Sequence, residues 1–192
     1  MRTLSDPKYF FYGDNDIVAG INTWRKYEKI AKAEGQGDDK AIMITQSEKD
    51  QILHGMALAN ANANDKDELV PKPFRMSGFV PVNVPILIGF IAAPPTMKWT
   101  ILLHVMNQSY NAGLNYGNKN SSSMYTYNDL ITGYTGAVGS SVSVAVLLRL
   151  MTANLSKGAK GPKLLLLNTL VNGTAGACAS FCNTYMMRRA ER

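Results

Sequence analysis

Four long runs without a charged residue occupy the second half of the sequence, and they constrain the fold more than any other feature. They extend over Met76–Met97, Trp99–Asn118, Leu130–Leu148 and Leu164–Met187. A helix needs about 20 predominantly apolar residues to cross the hydrocarbon core of a bilayer. The last two runs meet this requirement, and the pattern therefore predicts an all-α membrane protein.

The first two runs are less regular, because prolines interrupt them at Pro81, Pro85 and Pro94-Pro95 and because the second run is rich in asparagine. One broken span with a re-entrant piece and two short spans both fit this pattern. We favour a broken entry segment that leads into one full span. The prediction is thus about three transmembrane helices, over roughly 83–118 with a break, 130–150 and 164–187.

Residues 1–75 have a different character and are predicted to form a separate polar, helical segment, followed by the transmembrane region 76–192. They contain 11 Lys/Arg and 12 Asp/Glu. Apolar residues recur at helical spacing from Ile17 to Ala31, opposite a basic face, and Gly35 ends this amphipathic pattern. An amphipathic, basic helix of this kind can lie on a membrane surface or bind a partner protein. Packing of its apolar face within its own protein is the simplest interpretation. A capping box, Thr45-x-x-Glu48, predicts a second helix that leads into a loop over 60–65.

The second half carries the entire positive net charge. From Met76 to Arg192 there are 9 Lys/Arg but only 2 Asp/Glu, Asp129 and Glu191. Sparse positive charges at the ends of apolar runs indicate contact with anionic lipid headgroups, and cardiolipin is one candidate. Nucleic-acid binding is typically indicated by a basic cluster interleaved with aromatic residues, and the sequence has no such cluster.

A stripe of polar residues runs along the predicted helix before residue 118. At helical spacing, His104, Gln108, Asn111, Asn115 and Asn118 share one face, with Asn107 beside them. Such groups are costly in hydrocarbon unless they face protein, water or a polar solute. They could line a pathway for a polar small molecule or fasten helices by hydrogen bonds. The second use is common in membrane bundles, and the residues alone favour it.

The last predicted span has a shorter stripe, Asn168 and Asn172, that could meet the first. Small residues at four-residue spacing predict the surfaces on which helices approach closely. These pairs are Gly136/Ser140, Gly139/Ser143, Gly173/Ala177 and Gly176/Ser180.

Signals for catalysis are missing from the sequence. It has no phosphate-binding loop, no His-Glu-x-x-His and no Gly-x-Ser-x-Gly. Its two histidines, His54 and His104, have no acid at a metal-site spacing. We therefore expect no enzyme, no catalytic residue, no metal and no cofactor.

Two segments resemble motifs of the sideroflexin family. The first is Arg75-Met-Ser-Gly-Phe-Val-Pro-Val-Asn83, and the second begins Asn107-Gln-Ser-Tyr-Asn-Ala and continues to Asn120. Asp6-Pro7, Asn183 and the segment around Arg188 resemble further family features, in the same order along the chain. The family's His-Pro-Asp-Thr-Gly-Glu motif aligns with 63–68, where only Asp65 and Glu68 match it. The Trp-Gln-Trp that precedes the second motif becomes Leu103-His104-Val105.

The resemblance implies a multi-pass protein of the mitochondrial inner membrane. Sideroflexins usually have five spans and are associated with transport of serine and related amino acids, and with iron and haem homeostasis. The asparagine stripe is the family's hallmark segment, which strengthens the pathway interpretation for a member with all five spans.

The present sequence ends at Arg192, where the family continues through two further spans. On that ground we expect a non-catalytic accessory subunit of a respiratory complex or ATP synthase, which contacts lipids and either other subunits or a second copy of itself. The alternative is a mitochondrial transporter of serine or a related small amino acid, in which Asn107, Gln108, Asn111 and Asn115 line the path. A transient assembly factor is a third, weaker option.

Overall fold

The structure is a computed structural model that describes residues 6–34, 44–119 and 126–189. In this part of the chain every regular element is helical, and Ala63 and Leu69 form an isolated antiparallel bridge. The α-helices are α1 (Asp14–Glu34), α2 (Gln46–Asn62), α3 (Phe79–Ala92), α4 (Met97–Gly117), α5 (Tyr127–Met151), α6 (Ala153–Ser156) and α7 (Gly161–Arg189). Short 3-10 helices cover Pro7–Phe11, Lys72–Phe74 and Met76–Gly78. The all-α prediction is confirmed.

The chain divides into two compact units, of which the first comprises Met1–Val80 and Gly117–Ser121. In it α1 packs against α2 around a core that includes Tyr9, Ile17 and Leu58. The predicted capping box is present: the Thr45 hydroxyl accepts from the backbone N–H of Glu48, whose carboxylate accepts from the backbone N–H of Thr45. This backbone hydrogen bond is the main reason that the pKa of Glu48 lies below its usual value.

Two glycines allow α1 and α2 to approach closely. A Cβ on Gly20 would lie 3.3 Å from the Cα of Gly55, and a Cβ on Gly55 would collide with the carbonyl oxygen of Gly20. Backbones come this close only where neither residue carries a side chain. The crossing therefore requires glycine at position 55.

Helix α2 is longer than its sequence pattern indicates, because residues 60–62 are helical and only 63–65 leave the helix. Asn62 explains the difference. Its side chain is fully buried, donates to the Leu58 carbonyl at 3.0 Å and accepts from the Ser77 hydroxyl at 2.7 Å. A buried amide with both ends bonded stabilises the last helical turn, although asparagine usually favours loops.

The second unit comprises Pro81–Tyr116 and Ser122–Arg192, and most of it is helical. The predicted break lies at residues 93–96, between α3 and α4. The expectation that Pro81 and Pro85 also interrupt the chain is wrong, since α3 continues through both. Pro81 lies in the first turn, where a backbone N–H has no helical acceptor anyway.

Helices α5 and α7 contain 25-residue segments, Tyr127–Met151 and Gly161–Tyr185, that are long and apolar enough to cross a membrane. At 1.5 Å per residue each is longer than the roughly 30 Å hydrocarbon core. The third predicted span coincides with α3 and α4, of which α3 is too short and α4 too polar to meet the same criteria. A third crossing therefore stays a prediction.

Small residues do join α5 to α7, but at other positions than those predicted. The buried face of α5 includes Ala137, Ser141 and Ala145, and that of α7 includes Ala175 and Ala179. A Cβ added to any of three predicted contact glycines, Gly139, Gly173 and Gly176, would meet no atom within 4 Å. In the described part of the chain these three glycines therefore contact no other helix, and their predicted role in helix packing stays a prediction.

Replacing Gly55 by alanine should destabilise the first unit by about 1–3 kcal/mol, because the new methyl group must displace the backbone of α1. Unfolding of the full chain in detergent, followed by fluorescence of Trp24 in a Trp99→Phe background, measures this loss. The control is Gly139→Ala, which should be neutral or stabilising by up to about 1 kcal/mol, because alanine favours a helix and space is available. Equal stability of the two variants would contradict the close crossing.

Candidate functional site

Three residues of the polar stripe on α4 line one narrow cleft in the second unit. Gln108, Asn111 and Asn115 contribute amides from α4, and Asn183 contributes a fourth amide from α7. Leu130, Tyr134 and Ala137 close the α5 side. The Tyr134 hydroxyl also lies 3.0 Å from the Ser109 hydroxyl, which links α5 to α4. The cleft is therefore a polar site between three helices.

The size of the cleft limits what it can hold. Its gross volume is about 240 Å³, but space for water-sized molecules amounts to only about 10 Å³. A cavity needs about 10–15 Å³ on this measure to hold a single water. In this conformation the cleft accommodates about one water and no amino acid.

The rest of the predicted stripe lies elsewhere. His104 is fully buried one turn before Gln108, and Asn107 is half-buried and outside the cleft lining. Asn118 belongs to the first unit, where its side chain donates to the Phe74 carbonyl at 2.7 Å. The stripe thus comprises three different environments, of which the cleft is one.

Asn168 and Asn172 on α7 hydrogen-bond to the carboxyl end of α3. The Asn168 amide donates to the carbonyls of Ile91 and Ala93 at 2.8 and 3.0 Å, and the Asn172 amide donates to that of Phe90 at 2.6 Å. In a continuous helix the carbonyls of residues 90 and 91 would accept from the N–H groups of residues 94 and 95. Both of those residues are proline and have no N–H. The two asparagines therefore replace the donors that Pro94-Pro95 removes.

His104 lies beside this contact. Its ring is 4.8 Å from the Phe90 ring, and it neighbours the side chain of Asn172. Both ring nitrogens and the Asn172 Oδ1 lack a partner at hydrogen-bonding geometry in the described part of the chain. The groups are complementary, because a neutral imidazole offers one N–H donor to an amide oxygen. His104 thus belongs to the helix contact at Asn172.

Arg149 is a central residue that sequence reasoning missed. It lies in the last turn of α5 and is only 4% exposed. Its guanidinium donates to Asn168 Oδ1 at 2.9 Å and to the Thr100 hydroxyl at 3.2 Å. In the sequence Arg149 is only the charge that follows the apolar run Leu130–Leu148. The only positive charge within a 25-residue apolar helix was the signal that could have revealed it.

The family-motif residues have different positions. Arg75 is buried in the first unit, donating to the Val70 carbonyl at 2.8 Å and to the Asp14 carboxylate at 2.7 Å. Asp65 and Glu68 are exposed in the turn after α2, and Asn83 is half-buried in α3. Arg188 is in α7, but its side chain lies outside the described part of the structure.

The turn after α2 contains one unusual backbone conformation. Asp67 has φ 63°, in the left-handed region that favours glycine. Its carboxylate accepts two hydrogen bonds from Arg25 of α1, at 2.6 and 2.9 Å. Bonding to Asp67, and then to Glu28, raises the pKa of Arg25 above its usual value. The Asp67 side chain thus holds the turn against α1, although the left-handed backbone conformation of Asp67 is unfavourable.

Comparison with known proteins agrees with these features. The family model for sideroflexins matches residues 1–192. The chain belongs to the sideroflexin family. It is 31% identical to human sideroflexin-5 over 188 residues, which are 98% of this chain and 52% of that protein. It is 36% identical to a Dictyostelium discoideum sideroflexin over 146 residues, or 76% of this chain and 41% of that one.

Rat sideroflexin-3 is 27% identical over 192 residues, which cover 98% of this chain and 53% of that protein. This sideroflexin-family chain therefore spans about half the length of most of these relatives. No solved structure matches it.

Loss of Asn172 should cost stability mainly because Pro94 is present. Asn172→Leu leaves the Phe90 carbonyl without a donor, a loss of about 1–3 kcal/mol. In a Pro94→Ala background the restored N–H can bond to that carbonyl, so the same substitution should cost clearly less. Unfolding in detergent, followed by Trp99 fluorescence in a Trp24→Phe background, gives the coupling energy. Thr169→Ala, on the exposed face, is the control and should show no coupling. Full additivity would contradict the capping role.

Substitutions of Asp67 should follow a definite order. Asp67→Ala loses the Arg25 pair and keeps a Cβ in the left-handed region, whereas Asp67→Gly loses the pair but relieves the backbone. We expect the alanine variant to be less stable than the glycine variant by about 1 kcal/mol. Thermal unfolding read by Trp24 fluorescence tests this order. Asp50→Ala, an exposed helical site, serves as the control, and the reverse order would contradict a strained turn.

Proposed function

We propose that this chain is a non-catalytic structural subunit of a larger assembly in the mitochondrial inner membrane. The observation that carries the proposal is the small size of the cleft that the amides line. Asn168 and Asn172 hold α7 to the end of α3, and the cleft at Gln108, Asn111 and Asn115 has space for about one water. Polar groups employed in this way fasten helices together.

The outward face of α7 supports association with further helices. Gly173 has open space where a Cβ would be, and Ala177 follows four residues later on the same exposed face. Leu170 and Phe181 flank this pair and are 57% and 73% exposed. Small residues at this spacing let a second helix approach closely. We infer that a transmembrane helix of a neighbouring subunit packs here.

The resemblance to sideroflexins implies the mitochondrial inner membrane, and a respiratory complex or ATP synthase is our own proposal for the host. The second unit provides a surface for such a host, because large apolar side chains of α5 and α7 face outward. Leu147, Leu166 and Leu170 are each more than half exposed. In a membrane these side chains contact lipid or other subunits.

Amino-acid transport is the second candidate, and the amide-lined cleft is the observation that favours it. Gln108, Asn111, Asn115 and Asn183 converge from two helices, as a polar solute would require. The cleft would have to widen, through further helices or a second copy of the chain, before it could hold serine. Under this hypothesis the cleft amides contact the substrate.

Association through α7 is tested by substituting its outward face. We expect the tagged full chain, gently solubilised from mitochondrial membranes, to comigrate stoichiometrically with a large complex on a native gel. Gly173→Leu should release it, because the new side chain occupies the contact surface without touching its own chain. Gly139→Leu is the matched control on α5 and should leave comigration intact. A wild-type chain that migrates alone would overturn the proposal.

Uptake of labelled serine into liposomes separates the two candidates. The structural function predicts no uptake by the purified chain. Transport predicts uptake that is abolished by Asn111→Leu with Asn115→Leu and retained by Asn107→Leu, because Asn107 lies outside the cleft lining. Uptake that is lost in the double variant and retained in Asn107→Leu would support transport and overturn the structural function.

A further inference from the structure

A second cavity lies where α5 ends, apart from the amide cleft. It has a volume of about 200 Å³ and opens to the outside. The lining consists of Pro95 and Met97, Arg149, and then Ala153, Ser156 and Lys157.

Arg149 places a positive charge in the lining of this cavity, with no carboxylate among its described hydrogen-bond acceptors. Its hydrogen-bond acceptors within the described residues are neutral, namely Thr100 and Asn168. Asp129 is the only acidic residue between Met76 and Arg189. It caps the first turn of α5 with Thr126, about 30 Å along the helix from Arg149. A buried charge without a counter-ion is costly, so an anion at this site would offset that cost.

The donor geometry of Arg149 leaves room for an anion. A guanidinium has five N–H donors, and two hydrogen bonds to neutral groups account for part of them. Those two bonds fix the orientation of the side chain. The N–H donors that remain on Nη1 and Nη2 can bond to the oxygens of a phosphate. Lys157, which is exposed on the rim, adds a second positive charge.

The surroundings of the cavity are those of a membrane surface. It lies at the end of a 25-residue segment long enough to span the bilayer, next to the connection from α5 to α7. Leu150, Met151 and Leu155 in the same region are 60%, 71% and 55% exposed. Apolar side chains beside basic ones suit acyl chains beside a charged headgroup.

We propose that this cavity binds the phosphate group of an anionic phospholipid. Arg149 takes the phosphate oxygens by its guanidinium, Lys157 adds electrostatic attraction, and the acyl chains lie along the exposed side chains of 150–155. A free phosphate shares the charge chemistry but gains nothing from the apolar surface. The site does not depend on whether the chain is a structural subunit or a transporter.

Native mass spectrometry of the full chain in neutral detergent tests the proposal. The probes are dihexanoyl phosphatidylglycerol, dihexanoylglycerol, which lacks the phosphate, and inorganic phosphate. We expect the phosphatidylglycerol to bind most tightly. Lys157→Gln should weaken it about fivefold, the effect of one lysine near an anionic headgroup. Lys163→Gln changes an exposed residue in the first turn of α7, outside the lining, and should have no effect.

Arg149→Lys keeps the charge and loses the paired donors, so it should weaken phosphatidylglycerol binding more than Lys157→Gln. If this variant does not fold, the comparison of Lys157→Gln with Lys163→Gln still shows whether the lipid binds at this cavity. Equal binding of phosphatidylglycerol and dihexanoylglycerol would overturn the site, as would equal effects of the two lysine substitutions. Inorganic phosphate binding as tightly as the lipid would show a free-anion site and overturn the lipid assignment.

Discussion

The second unit depends on how the end of α3 is satisfied. Pro94-Pro95 stops the helix and removes the N–H groups that would bond to the carbonyls of residues 90 and 91. A carbonyl that is buried without a donor costs about 1–3 kcal/mol. The side chains of Asn168 and Asn172 supply the donors. Helix α7 must therefore be in place before α3 can end at this position, which couples two segments about 80 residues apart in the sequence.

The same contact explains why a buried arginine is tolerated. Asn168 donates from its nitrogen to α3 and accepts at its oxygen from Arg149, while Arg149 also donates to Thr100. One asparagine thus links α3 and α5 to α7, and the arginine extends the link to α4. Each member fixes the orientation of the next, because an amide with its oxygen bonded to a cation can point only its nitrogen towards the carbonyls. The positive charge also lies near the carboxyl ends of α3 and α5, where helix dipoles favour a cation.

Local features of the sequence predicted much of this fold. The capping box at Thr45, the break at Pro94-Pro95 and the two long apolar helices each follow from chemistry within a few residues. Long-range features could not be predicted in the same way. Gly139, Gly173 and Gly176 fit a helix-packing pattern as well as the residues that do pack, because the pattern does not contain the position of the neighbouring helix. The buried position of Arg149 likewise depends on its partners on α4 and α7, which the local sequence does not contain.

The asparagines illustrate why residue type alone does not assign a function in a membrane. Asn168 and Asn172 have protein acceptors for their donors, and those acceptors exist only because two prolines lie at the end of another helix. Asn111, Asn115 and Asn183 instead converge on a cleft that holds about one water. The asparagines thus form two sets. The first set hydrogen-bonds within the protein, and the second lines a cleft that a further molecule or helix could contact. Packing by another helix would bury the second set, whereas a wider cleft would expose it to a solute. The distinction between a structural subunit and a transporter therefore rests on the cleft, and the α3 contact is common to both.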